Sequence, residues 1–140
     1  MEEKIIIGRS THIDLPNFNM YDIPAKVDTG AYRGALHCRD IRLSADGKTL
    51  YFKLLDERHP EYSAHDQAVT DFGLVKIKNT GIDWQERYKI KTEIIIAGQS
   101  IVTEMTLADR ADMRFPVLIG RKALKKKFLV NVSKKVNLNK

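Results

Sequence analysis

The sequence is poor in cysteine and has no long hydrophobic run. Its single cysteine, Cys38, cannot form a disulfide within the chain, which excludes a disulfide-stapled fold and suits a reducing compartment. The apolar run near the N-terminus is only Ile5 to Ile7, and acidic residues precede it, so it is too short for a signal peptide or a membrane span. We therefore expect a cytoplasmic protein with no membrane partner.

Motifs for metals and nucleotides are also missing. The four histidines and the one cysteine show no recurring close pairs, and His59 and His65 are too far apart for two ligands on neighbouring turns of a helix. No phosphate-binding loop of the Walker type is present. We therefore expect no metal and no cofactor, and we interpret His37 as a structural histidine with its hydrogen bonds satisfied.

The rest of the composition is that of an ordinary globular protein. A chain of 140 residues fits one domain, which we place at 1–140, with a core at about 5–132 and a basic tail at 133–140. Such a tail frays unless a partner chain or a sheet edge holds it. The formal net charge of +6 attracts nucleic acid, acidic lipid or acidic peptides, and its sign alone does not choose among them.

Alternation with a period of two residues predicts a mostly β fold. A strand is predicted between 87 and 96, a hairpin turn at Ala97 to Ser100, and a second hairpin at Asp46-Gly47 between strands near 36–43 and 50–54. The apolar face of the strand at 87–96 carries Tyr88, Ile90, Thr92, Ile94 and Ile96.

Three further segments complete the prediction of secondary structure. A third turn is predicted at Asn79-Thr80-Gly81, and the polar stretch 56–68, which contains Pro60, is predicted as a loop. Only 121–127 looks helical, with Ala123 and Leu124 available to pack inward.

The most informative segment is IPAKVDTGA at 23–31. An apolar strand delivers Asp28 into a turn formed by Thr29 and Gly30, and the glycine lets the backbone approach whatever faces it. Alone, such a triplet usually marks only a turn. Far downstream, FPVLIGR at 115–121 is an apolar strand that ends in Gly120 and Arg121, directly before the predicted helix.

These two segments together resemble the retroviral-type aspartic peptidases, in which they cross beneath the active site. The blocks AKVDTGAYRGALHC, NTGIDWQERYKIKTEIIIAG and TLADRADMRFPVLIGRKAL more closely resemble a bacterial family of retropepsin-like peptidases once labelled ATP-dependent zinc proteases. The resemblance covers about residues 23–132. It implies an all-β, retropepsin-like (acid protease) closed β-barrel with one short C-terminal helix.

The same resemblance implies an aspartic endopeptidase. Such enzymes need two carboxylates that share one proton, so that one activates water and the other donates to the scissile carbonyl. With one Asp-Thr-Gly per chain, we expect a homodimer in which Asp28 faces its own copy and Thr29 bonds across the axis. The resemblance makes Asp28, Thr29 and Gly30 the catalytic residues, with Gly120 and Arg121 as structural residues at the site.

This chain departs from the family pattern after Ala31. Family members usually carry Arg, Thr and Ser where this chain has Tyr32, Arg33 and Gly34. Retroviral enzymes often place an acid there that holds the downstream arginine. Because Tyr32 cannot act as that acid, another group must fix Arg121. A flap over the site is also expected, at 50–71 in preference to 79–83.

Arginines near the motif predict an acidic peptide or protein tail as substrate. Arginine binds carboxylates through two parallel hydrogen bonds, and the resembled family is linked to removal of glutamate tails from a ribosomal protein. A solvated strand face is an equally good interpretation of any single arginine. The expected substrate-binding residues are Ala31, Arg33, Arg87, Arg110 and Arg114.

Two other functions stay open. A non-catalytic homodimeric module that binds acidic peptides would keep the fold without the chemistry. A nucleic-acid-binding β-barrel is suggested by the positive charge and the aromatic residues, but Tyr88 lies on the apolar face of its strand, so nucleic acid is not the expected partner. The aromatic residues considered are Tyr51, Phe52, Trp84 and Tyr88.

Overall fold

The computed structural model describes residues 3–78, 84–109, 114–134 and 136–137. Within these ranges the chain forms β-strands, one α-helix and a 3-10 turn at Pro16–Phe18. The strands are β1 (Ile5–Ile7), β2 (Ser10–Leu15), β3 (Met20–Val27), β4 (Gly34–Leu43), β5 (Leu50–Leu54), β6 (Asp66–Val69), β7 (Phe72–Lys78), β8 (Trp84–Ile96), β9 (Gln99–Ala108), β10 (Val117–Ile119), β11 (Phe128–Val130) and β12 (Val136–Asn137), and the helix is α1 (Arg121–Leu124).

Six strands close into a barrel, in the order β10, β3, β2, β8, β9, β4 and back to β10. The closing strand is β10: Val117 pairs with Ala25 of β3 in parallel and with Leu36 of β4 antiparallel. In a closed barrel every strand is paired on both sides, so the barrel has no edge strand. The predicted mostly β fold, a closed barrel with one short helix in the described residues, is confirmed.

The barrel is filled by the inward-facing residues of its strands. On β8 the predicted apolar face is confirmed, since Ile90, Ile94 and Ile96 are at most 1% exposed and Thr92 is also buried. Each aliphatic side chain of this size contributes about 1.5–3 kcal/mol on full burial. His37 and Cys38 on β4 are both buried, although they point to opposite faces of the strand, because β4 is covered on both sides.

Two predicted hairpins are confirmed. The turn between β8 and β9 consists of Ala97 and Gly98 alone, with φ of 49° and 78°, and Ile96 pairs with Gln99. Two positive φ angles are typical of the type I′ turn, whose twist matches that of the strands. Gly47, with φ of 73°, lies in the turn between β4 and β5. The predicted turn at Asn79-Thr80-Gly81 lies outside the described residues.

Other predictions need correction at their boundaries. The loop predicted at 56–68 ends early, because β6 begins at Asp66 and pairs with β5, and Asp56 is buried rather than solvated. The helix is shorter than predicted and ends at Leu124, with Ala123 and Leu124 buried as expected. The backbone of 136–137 pairs with Ser10 and Thr11 of β2, so a sheet edge holds this part of the tail.

One hairpin extends beyond the barrel. Among the described residues β7 pairs with β8 alone, over Phe72–Lys78 and Trp84–Ile90, whereas β8 pairs with β9 only from Lys89 onward. The segment from Trp84 to Tyr88 is therefore part of a two-stranded arm, which we call the β7–β8 arm. No helix in the described part of the chain is long and apolar enough to cross a membrane.

Candidate active site

Asp28 lies at the end of β3, in a turn held by backbone hydrogen bonds. Its amide donates to the carbonyl of Ile119 at 2.9 Å, and its carbonyl accepts from the amide of Ala31 at 3.2 Å. The amide of Gly30 donates to the Asp28 Oδ1 at 3.0 Å. The Asp28 side chain is half-buried, and Thr29 and Gly30 are exposed. A carboxylate tied to its own turn in this way keeps one orientation while it stays accessible to solvent.

Gly120 lies directly against the backbone that follows this turn. A Cβ at position 120 would come within 2.5 Å of the Arg33 carbonyl carbon and 2.7 Å of the Tyr32 carbonyl oxygen. The φ of Gly120 is −94°, which any residue adopts, so glycine is required here for space. The amides of Arg121 and Lys122 then donate to the carbonyls of Ala31 and Tyr32, both at 2.8 Å. The segments 31–33 and 120–122, far apart in the sequence, thus brace each other next to the Asp28 turn.

Arg121 is fixed by the turn itself. Its Nη1 donates to the Thr29 carbonyl at 3.0 Å, and its guanidinium lies 6.0 Å from the centre of the Tyr32 ring. Arg33 and Lys122 also lie over this ring, at 5.4 and 5.8 Å. A cation near an aromatic face is attracted by about 0.5–1 kcal/mol at an exposed site. The Thr29 carbonyl and the Tyr32 ring therefore hold Arg121 in this chain, where retroviral enzymes often use an acid.

A carboxylate next to this ring collects three cations, which together we call the Glu104 cluster. Glu104 of β9 accepts from the Lys122 Nζ at 2.6 Å, the Lys89 Nζ at 2.9 Å and the Arg33 Nε at 3.0 Å. These hydrogen bonds, led by that from Lys122, lower the pKa of Glu104 to about 2 against the opposing effect of burial. Glu104 is therefore ionised near neutral pH, and three positive charges against one negative charge leave the cluster at +2.

The structure brings together most of the predicted site residues, but not all of them. Ala31 and Arg33 follow the turn directly, next to Gly120 and Arg121. Arg87 instead lies on the β7–β8 arm, where it donates to Gln85. Arg114 is an exposed residue before β10, beside the buried His37. Arg110 lies outside the described residues. The roles assigned to these residues stay predictions.

Sequence reasoning missed several polar residues. Glu104 and Lys89 lie on the polar faces of adjacent strands, where Lys91 is paired directly with Glu104. A two-residue turn at 97–98 sets this register, and from it Lys89 could have been predicted to lie diagonally across from Glu104. Asp56 had no such signal. It lies in a polar loop, yet its Oδ2 is 2.7 Å from the His37 Nε2, and both residues are 2% exposed.

Comparison with known proteins decides the family. A family model described as "Retropepsin-like aspartic endopeptidase RimB" matches residues 6–140. The chain belongs to the RimB-like family. This match confirms two predictions from the sequence: membership of a bacterial retropepsin-like family and the retropepsin-like fold. The crystal structure of a Legionella pneumophila protein of unknown function has the same fold, with a TM-score of 0.72 and 22% identity over 96% of this chain and 98% of that chain.

Two curated relatives are longer enzymes. A probable alpha-L-glutamate ligase of Shewanella halifaxensis is 30% identical over 140 residues, which cover 94% of this chain and 29% of the relative. One of Parasynechococcus marenigrum is 27% identical over 135 residues, which cover 94% and 28%. The RimB-like chain therefore spans less than a third of the length of these relatives.

Proposed function

We propose that the chain is an aspartic endopeptidase that acts as a homodimer on acidic, glutamate-rich peptide tails. The observation that carries this proposal is the fixed and accessible Asp28, held by the Gly30 amide and braced from below by Gly120 and Arg121. Two such carboxylates facing each other across a two-fold axis would share one proton. One then activates the water that attacks the peptide carbonyl, while the other donates its proton to the carbonyl oxygen.

An exposed apolar strip near the Asp28 turn supports dimerisation. Ile6 of β1 and Leu129 of β11 are partners in a parallel pair, so their side chains lie on the same face, and they are 53% and 55% exposed. The strip is connected to the turn through Arg9, three residues after Ile6, whose carbonyl accepts from the amide of Val27, next to Asp28. A two-fold contact through this strip would bring the two turns together.

Leu129→Glu is expected to dissociate the dimer and abolish cleavage. A carboxylate buried without a partner costs on the order of 3 kcal/mol, so the dimer dissociation constant should rise by about 100-fold or more. Light scattering during gel filtration should then give a mass near 16.0 kDa for the variant and twice that for the wild type. Val102→Glu is the matched control, since Val102 is 66% exposed on β9, away from the strip. Equal masses for all three proteins would rule out this interface.

The β7–β8 arm is a better candidate for the flap than 50–71, and the other segment predicted from the sequence, 79–83, lies outside the described residues. The preferred sequence candidate, 50–71, contains β5 and β6, which are hydrogen-bonded into a sheet with β4. In the arm, residues 84–88 of β8 have no pairing with β9 of the barrel. The arm also carries two exposed apolar residues, Leu74 and Trp84, which are 56% and 63% exposed. An arm of this kind can close over a bound peptide and exclude water.

The charge beside the turn favours an acidic substrate. The Glu104 cluster carries an excess of two positive charges. Arg121, whose guanidinium lies near the Tyr32 ring, adds a third positive charge. Lys89 links this charge to the base of the arm, since its side chain lies beside Gly73 of β7. The relatives are named for joining α-L-glutamate, so a peptidase unit within the same polypeptide that acts on glutamate chains fits their chemistry.

Cleavage of matched peptides tests this function. We expect a peptide with a C-terminal run of glutamates to be cut at least about tenfold more efficiently than its glutamine counterpart at low ionic strength, with the preference falling as salt screens the charges. Lys122→Gln should raise KM for the glutamate peptide alone, and Lys48→Gln, in the distant turn after β4, should not. Mass spectrometry of the products gives both rates. Equal cleavage of the two tails would reject the acidic substrate.

A further inference from the structure

A cavity lined by both polar and apolar residues is separate from the residues of the Asp28 turn. Its volume is about 260 Å³, which suits a single amino-acid residue or a molecule of that size. None of Asp28, Thr29 and Gly30 lines it. We call it the Arg58 cavity, and its lining residues are Pro24, His37, Leu55, Asp56, Arg58, His59, Arg114, Phe115 and Pro116.

The floor of this cavity is a buried, fully bonded carboxylate. Asp56 Oδ1 accepts from the amide of Arg58 at 2.9 Å, and its Oδ2 accepts from the His37 Nε2 at 2.7 Å. The Nε of Arg58 lies 3.0 Å from both oxygens. Hydrogen bonds from Arg58, with a smaller contribution from His37, hold the pKa of Asp56 below its usual range despite the burial. Asp56 therefore serves to anchor Arg58 and has little capacity left for a ligand.

Arg58 is held in a way that keeps one binding edge available. The guanidinium meets Asp56 through its Nε and Nη2 atoms, and no hydrogen bond of its Nη1 is found among the described residues. A guanidinium has five donors, and the edge formed by Nη1 and the second Nη2 hydrogen is a fork that matches a carboxylate. The Arg58 side chain is 55% exposed, so a ligand can reach it. Arg58 is thus a preorganised anion receptor, because Asp56 has already fixed its orientation.

Arg114 and His59 add further hydrogen-bond donors to the cavity. Arg114 lines the cavity, and no carboxylate in the described parts of the chain is paired with it. His59 accepts a hydrogen bond at Nδ1 from the amide of Glu61, so its neutral ring carries the proton on Nε2, where it can donate. The walls beside these groups are apolar and come from Pro24, Leu55, Phe115 and Pro116.

We propose that the Arg58 cavity binds a carboxylate on a short aliphatic stem, such as the side chain of one glutamate in a peptide. The fork of Arg58 and the guanidinium of Arg114 take the carboxylate, and the proline, leucine and phenylalanine walls take the methylene groups. This assignment does not depend on catalysis at Asp28. Pro24 of β3 lines the cavity, and Asp28 follows the end of β3 four residues later, about 13 Å along an extended chain.

The site is tested with blocked amino acids on the full chain carrying Asp28→Asn, so that no cleavage can occur. N-acetyl-glutamate methylamide has one carboxylate, and N-acetyl-glutamine methylamide is its neutral counterpart of the same shape. Amide signals in two-dimensional ¹⁵N spectra report where each probe binds. We expect the glutamate probe to shift the amides of Arg58 and His59 saturably and the glutamine probe to leave them in place.

Variants then separate the proposal from a general effect of charge. Arg58→Lys keeps a cation beside Asp56 but removes the fork, and Arg114→Gln leaves Asp56 untouched, so at least one of them should fold normally. Each is expected to weaken binding of the glutamate probe by tenfold or more, whereas Arg42→Gln, an arginine of β4 that is paired with Asp66 of β6, should not. Shifts confined to Thr29 and Gly30, affinity unchanged in both variants, or equal affinity for inorganic phosphate would each overturn the carboxylate assignment.

Discussion

Asp28→Asn is expected to lower kcat/KM for a glutamate-tailed peptide by about 1000-fold or more while the dimer stays intact. An amide has the shape of the carboxylate, and its oxygen can still accept from the Gly30 amide, so the turn should keep its structure. The amide cannot take a proton from water at neutral pH, and two amides cannot share one proton across the axis. The chemistry is therefore lost without loss of the fold.

The measurement combines product formation by mass spectrometry with the mass of each protein in solution. Asp14→Asn is a matched control, because Asp14 Oδ1 also accepts from a backbone amide, that of Asp22 at 2.8 Å, but on the outside of the β2–β3 hairpin. It should keep wild-type activity. Cleavage by Asp28→Asn at the wild-type rate would remove Asp28 from the mechanism. A wild type that binds the peptide and never cuts it would favour the non-catalytic binding module.

The nucleic-acid interpretation of the positive charge loses two of its four aromatic residues in the structure. Phe52 is completely buried, and Tyr88 packs edge-on against Phe72 with ring centres 6.0 Å apart. Tyr51 of β5 lies beside Arg42 of β4, and Trp84 is on the β7–β8 arm. A stacking platform needs aromatic side chains and cations on one exposed strand face. These four do not form one.

The sequence predicted the features that depend on local chemistry. Asp28-Thr29-Gly30 and Gly120-Arg121 were found because a strand that ends in a tight turn has its own residue pattern. The hairpins at Asp46-Gly47 and Ala97-Gly98 were found because positive φ angles select few residue types. The fold itself came from the resemblance, since alternation alone does not order six strands around a barrel.

Contacts between distant segments were not predictable in the same way. Asp56 was expected in a solvated loop, and only the closed barrel places it against His37, 19 residues earlier. In the Glu104 cluster, the carboxylate contacts Arg33, which follows the Asp28 turn, Lys89, which is in strand β8, and Lys122, which is in helix α1. Arg33 was expected to bind substrate, and no ion-pair partner was predicted for any of the three. Their partner became visible only when strand register and helix position were known together.

Gly120→Ala is expected to cause a large loss of stability. The new Cβ would lie 2.5 Å from the Arg33 carbonyl carbon and 2.7 Å from two carbonyl oxygens, those of Tyr32 and Arg33. These are backbone atoms in a braced crossing, so they cannot turn aside as a side chain would. Overpacking of this kind costs about 3 kcal/mol or more, which corresponds to a fall in Tm of about 10 °C for a chain of this length.

The same variant should also lose activity below its Tm. The displaced backbone takes part in the hydrogen bonds that the amides of Arg121 and Lys122 donate to the carbonyls of Ala31 and Tyr32, and these bonds hold the Asp28 turn. Gly73→Ala is the matched control. Its Cβ would meet only the end of the Lys89 side chain, at 3.1 Å, and a lysine chain can move by a few tenths of an ångström at little cost. Thermal unfolding followed by circular dichroism, with cleavage measured at 10 °C below each midpoint, separates the two effects. A Gly120→Ala protein as stable as Gly73→Ala would mean that the two segments do not contact each other next to Asp28, and the bracing of the Asp28 turn would have to come from elsewhere.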